Sequence, residues 1–258
     1  MFLIAKNTIK EFLRNKLIRL IFFCWIVFLV LAIFVGKLTI AESGKIINDF
    51  SYFFIEWFGI LIILFFGTSL IYNEQKRKTL NLILSKDHSG IKFILWKFFG
   101  FATVLFIFLV SIGLFFLVIN LFFVSQNLSI VFLIIFSIYI KLLILLSIVM
   151  FFSVFTSQVV SIVSGLIIYL ISHSIAFIKY YFVSHSTNFS FTKYIFNFIY
   201  YILPDFQAID FKEYLNNPIF AEKITSTYIF TSIGVQILYI FVILFFTIII
   251  FRKRYCKF

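Results

Sequence analysis

The chain reads as an all-α integral membrane protein of six transmembrane helices, and three observations predict it. Hydrophobic residues make up 63% of 258 and charged residues only 12%, with a mean hydropathy of +1.14. That leaves too little polar surface to cover a soluble globule. The apolar residues fall in six runs, each near the roughly 20 residues needed to cross about 30 Å of hydrocarbon at about 1.5 Å per residue. The surplus positive charge is confined to three stretches that an even number of crossings places on one side. Predicted spans run over residues 17–35, 50–72, 98–123, 129–155, 159–177 and 228–251.

The N-terminal stretch carries Lys6, Lys10, Arg14, Lys16 and Arg19 against Glu11. Between the second and third spans stand Lys76, Arg77, Lys78, Lys86, Lys92 and Lys97 against Glu74 and Asp87, and the tail adds Arg252, Lys253, Arg254 and Lys257. Each stretch nets +4, so together they account for the whole formal charge of +12. Short basic loops stay in the cytoplasm. Both termini and the 73–97 loop are therefore expected on the cytoplasmic side of a bacterial cytoplasmic (inner) membrane. Elsewhere charges cancel: Lys37 and Lys45 against Glu42 and Asp49, and Lys179, Lys193, Lys212 and Lys223 against Asp205, Asp210, Glu213 and Glu222. Orientation and anionic headgroups account for the basic balance, so nucleic-acid binding is not expected. The 42 Phe are what an AT-rich coding sequence produces, and no function is read from them.

Residues 1–19 precede the first span. Phe2, Ala5, Ile9, Phe12 and Leu13 share one helical face, and Asn7, Lys10, Glu11, Arg14 and Asn15 the other. The pattern predicts an amphipathic elbow helix in the membrane interface; a solvated basic leader is the competing reading. No small-x-small cleavage site follows the first apolar run, so that span is expected to remain in the mature chain. Cys24 and Cys256 belong to no CxxC or Cys/His cluster, which gives a metal site no support.

The run from Ser129 to Phe177 is too long for one crossing, and Thr156, Ser157 and Gln158 mark a tight turn between two spans. Ser153, Ser157, Ser161 and Gly165 recur every four residues, as in close helix packing, although Ser is also simply tolerated in apolar helices. The outer stretch 179–227 contains Tyr194–Leu203, apolar but too short to cross, stopped by Pro204 and Asp205. It is expected to be interfacial or re-entrant. No separate soluble domain is expected, and the chain is read as one transmembrane domain.

Two charges lie inside spans: Glu56 in the second and Lys141 in the fourth. Facing lipid, each costs at least roughly 3 kcal/mol. A structural ion pair, a role in a substrate path, and snorkelling at a misplaced boundary are the readings that stand. His173 in the fifth span is expected to be a hydrogen-bonded interior residue. GxxxxGK[ST], HExxH and GxSxG are absent, so the chain is not expected to be an enzyme or to hydrolyse nucleotide itself.

The 73–97 loop carries most of the functional information. Thr79 can cap a short helix on which Leu80, Ile83 and Leu84 form one apolar ridge among basic residues. Such a ridge docks a partner or lies on lipid, and periodicity does not separate these. Ile71-Tyr72-Asn73-Glu74, then Thr79-Leu80-Asn81-Leu82-Ile83-Leu84-Ser85-Lys86, then Phe93-Ile94-Leu95-Trp96-Lys97 resembles the second-span and coupling-helix signature of the ABC-type-2 permeases, the membrane subunits of ATP-binding-cassette exporters. More loosely, the elbow, the six spans, the short hairpin between spans four and five, Leu203-Pro204-Asp205-Phe206 and the basic end at Arg252-Lys253-Arg254 follow the same order. Where the family often shows Pro, an aliphatic residue, Ser and Arg, this chain has Asp87, His88, Ser89 and Gly90, so one basic contact is missing.

The resemblance implies a coupling loop with Glu74, Thr79, Leu80, Ile83, Leu84 and Lys97 docked on a separate ATPase subunit that binds ATP and Mg. It also implies a homodimer or a heterodimer with a similar permease, and export of a lipid, hydrophobic peptide or drug. A stand-alone transporter or channel using Glu56, Lys141 and His173 is the alternative, as is a non-transporting membrane assembly or immunity protein. The former lacks Pro-broken spans, because Pro204 and Pro218 are both in the outer loop.

Overall fold

A computed structural model describes residues 8–12, 14–38, 43–76, 90–120, 128–185, 203–212 and 226–255. The described residues are helical with short connections: α1 (Lys16–Leu38), α2 (Ser43–Ile62), a π-helical turn (Ile63–Gly67), α3 (Ser69–Lys76), α4 (Gly90–Ile119), α5 (Leu128–Phe155), α6 (Gln158–His185), a 3-10 turn (Gln207–Ile209) and α7 (Ser226–Tyr255). α2, the π turn and α3 run on as a single span, so six helices are long and apolar enough to cross a membrane. The protein is a multi-pass membrane protein.

Several helices outrun the expected spans. α2 starts at Ser43 and carries Lys45 and Asp49, while α4 starts at Gly90 and carries Lys92 and Lys97. Hydropathy marks only the part of a helix that suits hydrocarbon. Backbone hydrogen bonding continues past that boundary wherever polar side chains reach water.

The core lies on α5 and on the α2–α3 rod. α1 packs along α2, α6 against α5, and α7 against α5 and α4. Ile134, Ile138, Leu145 and Val149 of α5 are fully buried, as are Tyr52, Ile55 and Ile63 of the rod. The peripheral helices turn apolar side chains outward, including Phe23, Val30 and Phe34 of α1 and Phe230, Phe241 and Phe245 of α7. An outward face of this kind suits lipid rather than water.

The turn expected at Thr156–Gln158 is where α5 ends and α6 begins. The Thr156 and Ser161 hydroxyls meet at 2.8 Å, and the Ser161 N–H donates to the Ser157 carbonyl at 3.0 Å. The four-residue repeat does not form one continuous contact. Ser157 is exposed on the turn, whereas Ser153, Ser161 and Gly165 are buried. At Gly165 three helices approach closely, for a Cβ there would lie 2.6 Å from Val149 Cγ2 and 3.2 Å from Leu64 Cδ2.

The π turn leaves backbone carbonyls without their regular helical donors. Side chains make good part of the loss: Thr68 Oγ1 donates to the Leu64 carbonyl and Ser69 Oγ to that of Phe66, each at 2.8 Å. Residues 8–12 form a helical turn that keeps Lys10 and Glu11 exposed and buries Phe12 edge-on against Phe66 and Phe101, each ring 5.7 Å away. Thr79, Leu80, Ile83 and Leu84 lie outside the described residues, as do residues 1–7, residues 194–202 of the expected re-entrant run, and Cys256.

Candidate functional site

Glu56 and Lys141 each stand 13 residues into their helices, α2 and α5, which is about 20 Å from the helix start. Their side chains are 4% and 1% exposed, so neither charge reaches solvent. Burying an ion costs several kcal/mol unless charge and hydrogen bonding compensate it. Among the described residues, the compensation is a network of four charges. Lys141 Nζ donates to Glu56 Oε1 at 3.3 Å and to Asp210 Oδ2 at 2.6 Å. Lys212 Nζ lies 2.5 Å from Glu56 Oε2 and 3.7 Å from Asp210 Oδ2. Tyr169 of α6 donates its hydroxyl to Glu56 Oε1 at 2.9 Å. Two ammonium groups and two carboxylates cancel.

The pair read from the sequence is therefore half of a quartet, and Lys141 sits closer to Asp210 than to Glu56. In the sequence, Asp210 and Lys212 count among outer-loop charges that balance, and Tyr169 carries no signal of a role. One signal was available. Both charges punctuate an otherwise apolar stretch, Phe206-Gln-Ala-Ile-Asp-Phe-Lys212, that a solvated loop does not need.

Local chemistry holds that stretch in place. Pro204 precedes a turn in which Asp205 Oδ1 accepts from the N–H groups of Gln207 at 3.0 Å and Ala208 at 3.3 Å. The Asp210 N–H closes the turn on the Gln207 carbonyl at 3.0 Å. Phe206, Ile209 and Phe211 are completely buried. Toward α6, the Phe206 N–H donates to the Ser172 carbonyl at 3.3 Å and its ring lies 5.6 Å from that of Tyr169. Toward α7, Gln236 Nε2 donates to the Asp205 carbonyl at 2.9 Å. Residues 203–212 are thus wedged between α6 and α7 with their charges directed at α2 and α5.

His173 stacks on Tyr169 at 6.1 Å with 14° between the ring planes. Its Nδ1 has no hydrogen-bond partner among the described residues. Position on α6 explains this. The residue one turn away, Tyr169, takes the carboxylate, and His173 meets a ring face instead.

Of the loop residues singled out from the sequence, Glu74 and Lys97 are described, and they form an ion pair at 3.1 Å between the end of α3 and the first turns of α4. A polar cleft of about 250 Å³ adjoins it, walled by Glu11, Asn15, Asn73, Gln158 and the rings of Phe65 and Phe66. At the same end, Phe93 stacks on Phe251 and Arg254 donates to the Val154 carbonyl at 3.1 Å. The described parts of all three basic clusters thus share one end of the bundle. Among the described residues, no three His, Cys, Asp or Glu side chains gather as a metal-binding group.

No family model matches the chain, and no curated protein matches it in sequence. The fold and its buried charges define a six-helix membrane protein whose interior is pinned by a neutral polar cluster.

Proposed function

We propose that the chain is the transmembrane subunit of an ATP-binding-cassette transporter, powered by a separate nucleotide-binding subunit and exporting a hydrophobic or amphipathic substrate. In this reading the basic end of the bundle faces the cytoplasm of a bacterium, residues 1–19 form the interfacial elbow, and loop 73–97 carries the coupling helix. Two copies, or one copy with a similar permease, enclose the pathway.

The observation that carries the proposal is the clamped base of that loop. The Glu74–Lys97 ion pair holds its two ends together at 3.1 Å, beside residues 8–15 and the α5–α6 turn. A loop with a fixed base can pass a push into the α2–α3 rod, whereas a loosely tethered one moves alone. The order of motifs from Ile71 to Lys97 supports the same reading. A self-powered carrier built on Glu56 and Lys141 draws less support, because both charges are engaged in a network of zero net charge.

The test is purification of the tagged full-length chain from native membranes, followed by an ATPase assay and sequencing of co-purifying proteins. A P-loop ATPase is expected to co-purify. Leu80→Asp with Leu84→Asp should release it while the permease stays monodisperse. An unchanged yield of ATPase with the double variant refutes the docking assignment.

A further inference from the structure

We propose that the cavity between residues 8–12, α1 and α4 binds an anionic phospholipid, with Arg19 on the phosphate and the apolar wall against the first part of an acyl chain. The cavity, of about 200 Å³, is floored by buried Phe12, Ile18, Val104 and Phe108. Such a volume is too small for a whole drug-sized ligand and suits one stretch of a chain. Arg19 and Ser111 are the polar side chains among its described lining residues, and the Ser111 hydroxyl already donates to the Phe108 carbonyl at 2.7 Å. The guanidinium is left to select the headgroup.

The charge pattern favours an anion. Arg19 is exposed and makes no hydrogen bond or ion pair with the described residues. Lys16, three residues earlier on α1, is exposed and equally without such a partner, so the two cations are neighbours on one helix face. Like charges so placed repel each other, and an anion between them turns the repulsion into attraction. The first 19 residues carry Lys6, Lys10, Arg14, Lys16 and Arg19 against a single acid, Glu11. Glu11 lines the polar cleft beside Glu74 instead.

Depth and direction fit a phospholipid rather than a free phosphate. The apolar span of α1, Ile18–Leu38, has 21 residues; its length of about 31 Å matches the hydrocarbon thickness. Arg19 therefore stands at a membrane boundary, where lipid phosphates lie within reach of its long side chain. Ring contacts give the direction. Phe12 meets Phe101, while Phe22 and Trp25 meet Phe115, so α1 and α4 enter the membrane side by side and run the same way. The lining passes from Ile9 and Phe12 at the boundary to Phe22 and Ser111 further in. A phospholipid has the same polarity, with its charge outside and its chains inside. The proposal needs neither an ATPase partner nor a particular orientation of the chain.

The experiment uses the full-length chain carrying Trp57→Phe and Trp96→Phe, which leaves Trp25 as its sole tryptophan. Trp25 is fully buried, so bulk lipid does not touch it, and it lies 6.0 Å from Phe22 of the cavity wall. The protein is placed in vesicles of phosphatidylglycerol and phosphatidylcholine in which one lipid at a time carries brominated acyl chains, and quenching of Trp25 is read. Brominated phosphatidylglycerol should reach half-maximal quenching at about a tenth of the mole fraction that phosphatidylcholine requires, the order set by one or two basic residues at an anionic surface. Lys16→Gln with Arg19→Gln should remove the preference, and Arg19→Lys, which keeps the charge, should retain most of it. Ser111→Phe fills the cavity with every cation in place and should abolish quenching by either lipid. Arg252→Gln with Lys253→Gln removes two exposed cations from the end of α7 and should change nothing. Equal quenching by the two lipids without these further changes, a preference that survives in the folded Lys16–Arg19 variant, quenching that survives Ser111→Phe, or a preference lost with the α7 cations overturns the proposal.

Discussion

Exchanging Glu56 and Lys141 should leave the protein far less stable than the unaltered chain, whereas in a simple ion pair the exchange would restore stability. In an isolated pair the double exchange restores attraction. Here each residue has a second partner: Lys141 sits 2.6 Å from Asp210, and Glu56 sits 2.5 Å from Lys212. The exchange therefore sets a lysine against Lys212 and a glutamate against Asp210. At an effective dielectric constant near 20 and about 3 Å separation, each such contact is of order 5 kcal/mol repulsive. Lys141→Met alone leaves two carboxylates to one ammonium and should cost about 3–5 kcal/mol, roughly a hundred- to several-thousand-fold in the folding equilibrium. Lys141→Met with Asp210→Asn leaves the neutral Glu56–Lys212 pair and should recover about 2 kcal/mol or more of that loss. The assay is equilibrium unfolding in mixed micelles of increasing dodecyl sulfate content, followed by the fluorescence of Trp25, Trp57 and Trp96. Recovery by the charge exchange, or a double neutralisation no better than Lys141→Met, refutes the four-charge account.

Tyr169→Phe keeps the ring contact with Phe206 and removes the 2.9 Å hydrogen bond to Glu56; the same unfolding assay should show a loss of about 1.5–3 kcal/mol, the range for a bond to a charged acceptor. Gly165→Ala puts a methyl 2.6 Å from a branched Val149 side chain that has little rotamer freedom. It should cost about 1–3 kcal/mol, and pairing it with Val149→Ala should return much of that.

What the sequence made legible is what depends on local composition. Six spans follow from hydropathy, and the α5–α6 turn follows from Thr156, Ser157 and Gln158 interrupting an apolar run. The buried charges were visible for the same reason, as exceptions within apolar helices. Their partners were not. Asp210 is 69 residues from Lys141, and Lys212 is 156 residues from Glu56, so no periodicity links them, and charge counting sorts both into a loop that nets to zero. The π turn is equally silent, because Ile63-Leu-Phe-Phe-Gly67 is as apolar as its surroundings and the extra residue shows only in the hydrogen-bond pattern.

That turn bears on how the two ends of the α2–α3 rod can communicate. One end is held by Glu74 on Lys97, and the other by Glu56 on Lys141, Lys212 and Tyr169. Between them lies the one stretch of the rod whose regular helical hydrogen bonding is interrupted, with Thr68 and Ser69 hydroxyls in place of backbone donors. A side-chain hydroxyl can change carbonyl partners at little cost, as Thr68 Oγ1 already lies 3.4 Å from the Phe65 carbonyl. A backbone N–H cannot do so without rewinding the helix. If α3 is displaced relative to α2, the change is therefore absorbed first at Ile63–Gly67, where Phe66 packs on Phe12 and Leu64 lies against the Gly165 position. A push applied at Glu74 then reaches the N-terminal segment and α6 before it reaches Glu56. The charge network can stay intact while the basic end moves.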